Sequence, residues 1–278
     1  MKKIVFCCVN YNNSEEVLEY AKSISLQLNS KESLLLIIDN STIQNEKVNL
    51  KNKIKNINLK IEILDFESNL GYLNGMFAGI KNYYNSYKEY PDWVIFSNTD
   101  IKFIDNKFIK NLLQRKYPED YWCIAPSIYS PQTKSYQNPH YKKRINLTQI
   151  ERVLFFSKYH ILFNLYAMLS SIKSKKRKKI EEKSQVVYAA HGCFFILKKD
   201  YFKSLDKLEY GSFLYSEEAF IAETIMRKDK KIFYDDLFKI VHMEHSTTDL
   251  IGNKNRAKLI NNSLSYIKKE FYERKNEK

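Results

Sequence analysis

Two phosphate-binding signatures are missing from this 278-residue chain. No Gly-x-Gly-x-x-Gly follows the first apolar run, which disfavours a dinucleotide site of the common type. No Gly-x-x-x-x-Gly-Lys-Ser/Thr occurs either, which disfavours a P-loop. Cysteine is scarce: Cys7, Cys8, Cys123 and Cys193, none in a Cys-x-x-Cys pair. Two of them are adjacent inside an apolar strand, so reduced, buried thiols of a cytosolic protein are expected. No run of about 18 uncharged apolar residues is present, so no membrane-spanning helix is expected. Lys2-Lys3 lead straight into a strand, with no signal-peptide cleavage pattern.

Positive charge is abundant. Lys and Arg number 46 against 32 Asp and Glu, a formal net charge of +14. Anionic partners follow from that balance: nucleic acid, acidic lipid or phosphorylated small molecules. Nucleic acid is disfavoured, because no recognisable binding motif accompanies the basic residues. A hydrophobic fraction of 44% supports the core of one large α/β domain or two small ones.

The stretch Trp93-Val94-Ile95-Phe96-Ser97-Asn98-Thr99-Asp100 is an apolar run ending in a carboxylate. It reads as a buried parallel strand that delivers an acid at its carboxyl end. Ligands of open α/β sheets bind outside those ends. Asp100 can therefore hold a divalent cation against a diphosphate. Alone, Asn98-x-Asp100 is equally a helix cap or a polar loop.

The same alternation runs along the chain. Strands are predicted over 4–9, 34–38, 60–66, 93–98 and 122–126. Helices are predicted from Ser14, as N-cap, through Leu28, from Asn69-Leu70-Gly71 to about Tyr87, and over 105–114. Strand and helix in turn argue a mostly parallel sheet with helices on both faces. Polar residues recur at the strand ends: Asn10 and Tyr11, Asp39, Asn98 and Asp100. On parallel strands these converge on one edge of the sheet.

The pattern breaks over 127–183. An apolar stretch over 150–172 precedes Lys173-Ser174-Lys175-Lys176-Arg177-Lys178-Lys179. Such a pair can lie on an anionic membrane surface. Equally, it is a helical insertion packed on the domain, or on a second subunit in a homodimer, before a solvated basic loop. Regular structure resumes at Gln185. Strands are predicted over 186–188, 193–197, 231–234 and 238–241, a helix capped by Ser216 begins at Glu217-Glu218, and a terminal helix spans 252–274.

The order of four blocks resembles the family 2 glycosyltransferases with their GT-A fold, of the type that builds bacterial surface polysaccharides. Val9-Asn10-Tyr11-Asn12 with Ile38-Asp39-Asn40-Ser41 is similar to the opening nucleotide-binding strands. Glu67-Ser68-Asn69-Leu70-Gly71-Tyr72-Leu73-Asn74-Gly75 is similar to the Asn-x-Gly helix entry, and Ser97-Asn98-Thr99-Asp100 to the metal-binding Asp/Asn-x-Asp. Ser216-Glu217-Glu218 followed by Val241-His242 is similar to the acceptor-side acidic motif and the later histidine. The blocks cover most of 1–126 and 186–248, and not the stretch between.

The resemblance implies a GT-A sheet of one catalytic domain: a nucleotide-sugar half over 1–126, a variable basic insertion over 127–185, and an acceptor half over 186–278. It implies a UDP-sugar or dTDP-rhamnose donor, a divalent metal (Mn2+ or Mg2+), and a glycan or lipid-linked oligosaccharide acceptor. The enzyme would work by inversion in the cytoplasm, at the inner face of the cell membrane. Val9, Tyr11, Asp39, Asn69, Gly71, Asn98 and His191 would contact the donor, Tyr11 by stacking on the base. Asp100 and His242 would hold the metal, with His245 competing for the histidine role. Glu218 inherits the base position. The family has Asp there, and the longer side chain leaves Glu217 as a second candidate. A nucleotidyltransferase is disfavoured, since it carries a Gly-rich basic loop after the first strand. A catalytically silent glycan- or nucleotide-binding relative, or a membrane-associated assembly protein, stays open.

Overall fold

Continuous apolar runs form the buried strands of one sheet. The computed structural model describes residues 2–159, 161–164, 180–244 and 252–274. The basic run over 173–179, the end of the apolar stretch before it and His245 lie outside these residues. β1 (Ile4–Asn10), β2 (Ser33–Asp39), β3 (Lys60–Asp65) and β4 (Trp93–Ser97) run parallel in the order β3-β2-β1-β4. β1 and β2 are buried almost throughout, which is why their sequences are apolar at successive rather than alternate positions. The register sets Asn10 beside Asp39, at the same level of the sheet.

The sheet continues through strands of both directions. β5 (Ile101–Phe103), β6 (Tyr121–Ser130), β7 (Ser135–Tyr136), β8 (Gln185–Val187), β9 (Phe194–Lys198) and β10 (Lys231–His242) complete it. β9 lies antiparallel between β4 and β6, and β10 runs parallel to β6. The carboxyl ends of β4, β6 and β10 therefore share one edge with the amino end of β9. The result is a mixed α/β fold with its parallel part in the first half.

Helices cover both faces. Against one face, α1 (Ser14–Ser25), α2 (Gln44–Ile54) and α4 (Phe108–Gln114) bury Val17, Ile24, Leu50, Ile109 and Leu112 on Phe6, Leu35 and Ile95. Against the other, α3 (Tyr72–Tyr87) and α7 (Glu217–Met226) bury Met76, Phe77, Phe220 and Ile221 on Cys7, Leu36 and Phe96. The short α6 (Lys199–Ser204) and the terminal α8 (Asn253–Lys268) join this second layer through Tyr201, Phe202 and Ile267. α5 (Leu147–Ser157) packs beside α8, where Asn261 Nδ2 donates to Ser157 Oγ at 2.8 Å. Just before α5, Arg144 clasps the buried Glu223 of α7 with two bonds of 2.8 Å. Breaking such a pair would leave an uncompensated buried carboxylate.

Several boundaries differ from the sequence reading. Asn13, not Ser14, caps α1, its side chain accepting from Glu16 N at 3.3 Å. Ser14 is already helical and donates its backbone N–H to Glu46 at 3.1 Å. α2 was not expected: just Leu50 and Ile54 of its residues are buried, too few for a clear helical period. β6 runs on to Ser130, because its far end pairs with residues 239–241 of β10. The two short strands predicted over 231–241 are one strand with an irregularity between Asp235 and Lys239. Among the described residues no helix is long and apolar enough to cross a membrane. All four thiols are buried and free of disulfides.

Candidate active site

At the ends of β1 and β2 the loops brace one another. Asn10 Nδ2 donates to Asp39 Oδ1 at 3.0 Å and to Ser41 Oγ at 2.9 Å. Ser41 N donates to the same Asp39 oxygen at 3.1 Å. Asp39 is thus buried and used as an acceptor, while Tyr11 beside it is 37% exposed and presents its ring to the surface. Val9 is partly buried on the α3 side of the sheet.

The entry to α3 is built on glycine. Asn69 Oδ1 accepts from Gly71 N at 2.8 Å and from Asn40 Nδ2 at 2.9 Å. Gly71 has φ +79°, and a Cβ there would stand 2.1 Å from the Phe213 carbonyl oxygen. Both the backbone conformation and the close approach exclude a side chain. One turn on, Asn74 holds the 210–212 loop with three bonds, to Tyr210 N, Tyr210 O and Ser212 O, at 2.7, 2.9 and 3.0 Å. α3 and the 210–212 loop are therefore one unit.

Asp100 follows β4 and meets the end of β10. Its Oδ2 lies 3.2 Å from His242 Nε2, and both residues are buried. Asn98 Nδ2 is 3.5 Å from the same nitrogen. The tautomer of His242 follows from its neighbours. Gln137 Nε2 donates to the Glu244 carboxylate, which accepts only, so Gln137 Oε1 is the atom at 2.8 Å from His242 Nδ1. In the neutral ring Nδ1 then carries the proton and Nε2 presents a lone pair to Asp100. A carboxylate and a ring nitrogen at this separation are bridged by a proton or by a cation. Two atoms each about 2.1 Å from one ion at a right angle lie about 3 Å apart, so the pair fits a divalent metal. Gln137 and Glu244 orient the ring, as an outer layer of a metal site does.

Around this pair, His191, Cys193 and His242 bring their ligand atoms within 4.8 Å of one another. His191 N donates to Asn138 Oδ1 at 2.8 Å, which fixes the loop before β9. Burial, and then the neighbouring Asp100, Glu218 and Glu244, push the Cys193 thiol well above its ordinary pKa.

The two glutamates stand on strained backbone. Tyr215 and Ser216 have φ of 71° and 63°, in the left-handed region. Such residues persist where the surroundings over-determine them. Ser216 occupies the cap position, but it does not cap α7, because its hydroxyl is turned to Ser263 Oγ at 3.0 Å. Glu217 points inward, accepting from Tyr215 N at 2.9 Å. Burial, then the Glu218 charge, raise its pKa to about 8. Glu218 points to the sheet edge and accepts from Gly192 N at 3.1 Å. A Cβ on Gly192 would lie 2.6 Å from the Glu218 carboxylate oxygen, so glycine is required for that contact. Tyr72 Oη donates to Gly192 O at 3.0 Å, tying α3, the 191–193 loop and Glu218 together.

Among the described residues, those predicted from sequence lie along this edge or on the loops that brace it; His245 lies outside them. Gln137, Asn138, Glu244, Tyr72 and Asn74 were missed. Gln137 and Asn138 sit in the stretch read as an insertion, and no local signal marks them. Asn74 was legible within the Asn69-Leu70-Gly71-Tyr72-Leu73-Asn74 run.

A model described as "Glycosyl transferase family 2" matches residues 5–205. No curated protein sequence matches the chain. Among solved structures, the Pyrobaculum calidifontis mannosyltransferase PcManGT, in complex with GDP-Man and Mn2+, is 9% identical with a TM-score of 0.54. It is covered over 59% of its length by 89% of this chain. GalNAc-T7 with UDP, GalNAc and Mn2+ is 15% identical with a TM-score of 0.59, 92% of this chain covering 47% of it. Staphylococcus aureus TarS 1-349 in complex with UDP-GlcNAc is 13% identical with a TM-score of 0.56, 88% of this chain covering 59% of it. The chain therefore spans less than two thirds of each neighbour, and the likeness concerns the fold.

Proposed function

Because the chain belongs to glycosyl transferase family 2, we propose that it moves a sugar from a nucleoside-diphosphate donor to a hydroxyl of a glycan acceptor with inversion at the anomeric carbon. The observation that carries this reading is the facing pair of groups at one sheet edge. Asp100 and His242 form a cation-holding pair, and Glu218, anchored on Gly192, supplies a carboxylate. Neighbours of the same fold hold GDP-Man, UDP or UDP-GlcNAc, two of them with Mn2+.

The chemistry assigns distinct work to each side. Asp100 and His242 would hold Mn2+ or Mg2+, and such an ion supplies charge neutralisation for the departing diphosphate. Glu218 accepts the proton of the acceptor hydroxyl as its oxygen bonds to the anomeric carbon. The bond from that carbon to the diphosphate oxygen breaks, and the nucleoside diphosphate leaves with the electron pair. Glu217 is held protonated at neutral pH by burial and by Glu218, so one carboxylate of the pair is available as base. A single base with no second nucleophile supports inversion. Tyr11 would stack on the base of a UDP-sugar or dTDP-rhamnose, and Asp39 would hold the preceding loops in place to receive it. Hexosyl or rhamnosyl transfer in surface-polysaccharide synthesis, onto a lipid-linked acceptor at the inner membrane face, is the setting that suits the basic run over 173–179.

Thermal shift with UDP, dTDP, GDP and CMP, each with and without Mn2+, tests the reading. Metal-dependent stabilisation by one nucleoside diphosphate is expected and names the donor class. No shift with any of them sinks the donor site.

A further inference from the structure

Three of the ligand-bearing side chains at the sheet edge are not oxygen donors. His191, Cys193 and His242 offer two nitrogens and one sulfur within 4.8 Å, from the loop before β9 and the end of β10. Mg2+ and Mn2+ prefer oxygen; thiolate and imidazole together suit Zn2+, in tetrahedral geometry with bonds of about 2.0–2.3 Å. The ligand atoms of such an ion are about 3.5 Å apart, so a modest rotation of these side chains closes the set. His242 is already oriented by Gln137, which leaves Nε2 as its donor atom. Asp100 Oδ2 lies 3.2 Å from that nitrogen but outside the group of three, so the two positions meet at His242. The other three thiols sit within strands, at Cys7 and Cys8 in β1 and Cys123 in β6, and belong to no such group among the described residues.

The geometry points to a zinc site formed by His191, Cys193 and His242 that shares His242 with the Asp100 cation position. Zinc and the hard cation of catalysis then exclude one another, and zinc acts as an inhibitory ligand of the donor site. The sharing rests on the glycosyltransfer reading above; the zinc site itself does not. On binding, the thiol proton of Cys193 is released to solvent and the sulfur bonds the ion as thiolate.

Co2+ serves as the visible probe for Zn2+ in the metal-free full-length chain. The expected result is a near-ultraviolet thiolate-to-cobalt absorption that saturates at one ion per chain and is bleached by Zn2+. It is lost in Cys193→Ser and kept in Cys123→Ser. Zn2+ affinity falls by roughly tenfold or more in Cys193→Ser, and by a similar factor in His191→Ala, whose side chain is partly exposed and which carries the test if the cysteine variant does not fold. In wild type, Zn2+ displaces Mn2+ as read by electron paramagnetic resonance. Mn2+ binding with no thiolate band, or a Cys193→Ser chain with unchanged Zn2+ affinity, overturns this inference and leaves the glycosyltransfer reading standing. A thiolate band in a chain that binds no Mn2+ with any nucleoside diphosphate keeps the zinc site and overturns the shared position.

Discussion

At the ends of β1 and β2, amides and hydroxyls satisfy one another: Asn10 with Asp39 and Ser41, Asn40 with Asn69 and Gly71. At the start of α7, two carboxylates follow two left-handed residues, and one of the carboxylates is buried. The first region holds a shape at little electrostatic cost. The second keeps two carboxyl groups close, directly after strained backbone. On the proposed function, the contrast follows from their tasks. A nucleotide is recognised by a preformed polar surface, whereas a base must be held apart from the groups that would neutralise it.

The contrast is broken most directly at Glu218. Glu218→Gln is expected to lower kcat by about 10²–10⁴-fold, the range for a general base. The Kd for the nucleoside diphosphate with Mn2+, read by calorimetry, stays within about twofold, because Glu218 is anchored on Gly192 and not on the Asn10–Asp39 and Asn40–Asn69 braces proposed to receive the nucleotide. A variant with near-normal turnover would remove Glu218 as base.

Gly71 links the two regions, so it tests whether they fold as one. Gly71→Ala meets the Phe213 carbonyl and an unfavourable φ together. A loss on the order of 1–3 kcal/mol is expected in urea unfolding. Loss of less than ~0.5 kcal/mol would mean that the 210–216 loop moves away freely and that the halves are not coupled. Asn74→Ala, which removes the clamp on the same loop without touching φ, is expected to cost about 1–3 kcal/mol, chiefly from the buried groups it leaves unpaired.

A pH-dependent effect sharpens the acid side. Glu217 has a folded pKa of about 8, raised from 4.5 by burial and then by Glu218. The fold therefore binds more protons than the unfolded chain between those values, and stability falls as pH rises from about 4.5 through 8. Glu217→Gln mimics the protonated form. Near pH 4 it should match the wild type; at pH 9 it should be more stable by several kcal/mol. Parallel pH profiles for the two proteins would show that Glu217 is ionised in the fold.

Much of the architecture was legible locally. The apolar runs of β1, β2 and β4 are continuous because both faces are covered, and the carboxylates that follow them fall on one edge because the strands are parallel. α2 escaped, since two buried residues do not make a period. Ser216 misled, because a serine before two glutamates matches a cap in sequence while its φ of 63° gives it another task.

By itself, the sequence determined the strand ends and hence the residue types offered there: Asn98 and Asp100, Glu217 and Glu218, His242. Tertiary structure decided what those residues do. Gln137 lies 105 positions from the His242 it orients, and Gly192 lies 26 from the Glu218 it anchors. Which glutamate stays protonated depends on which one the packing of α7 buries, and which histidine faces Asp100 depends on where β10 enters the sheet. Strand order sets both, and it arises from packing between segments far apart in the chain, which no local spacing encodes.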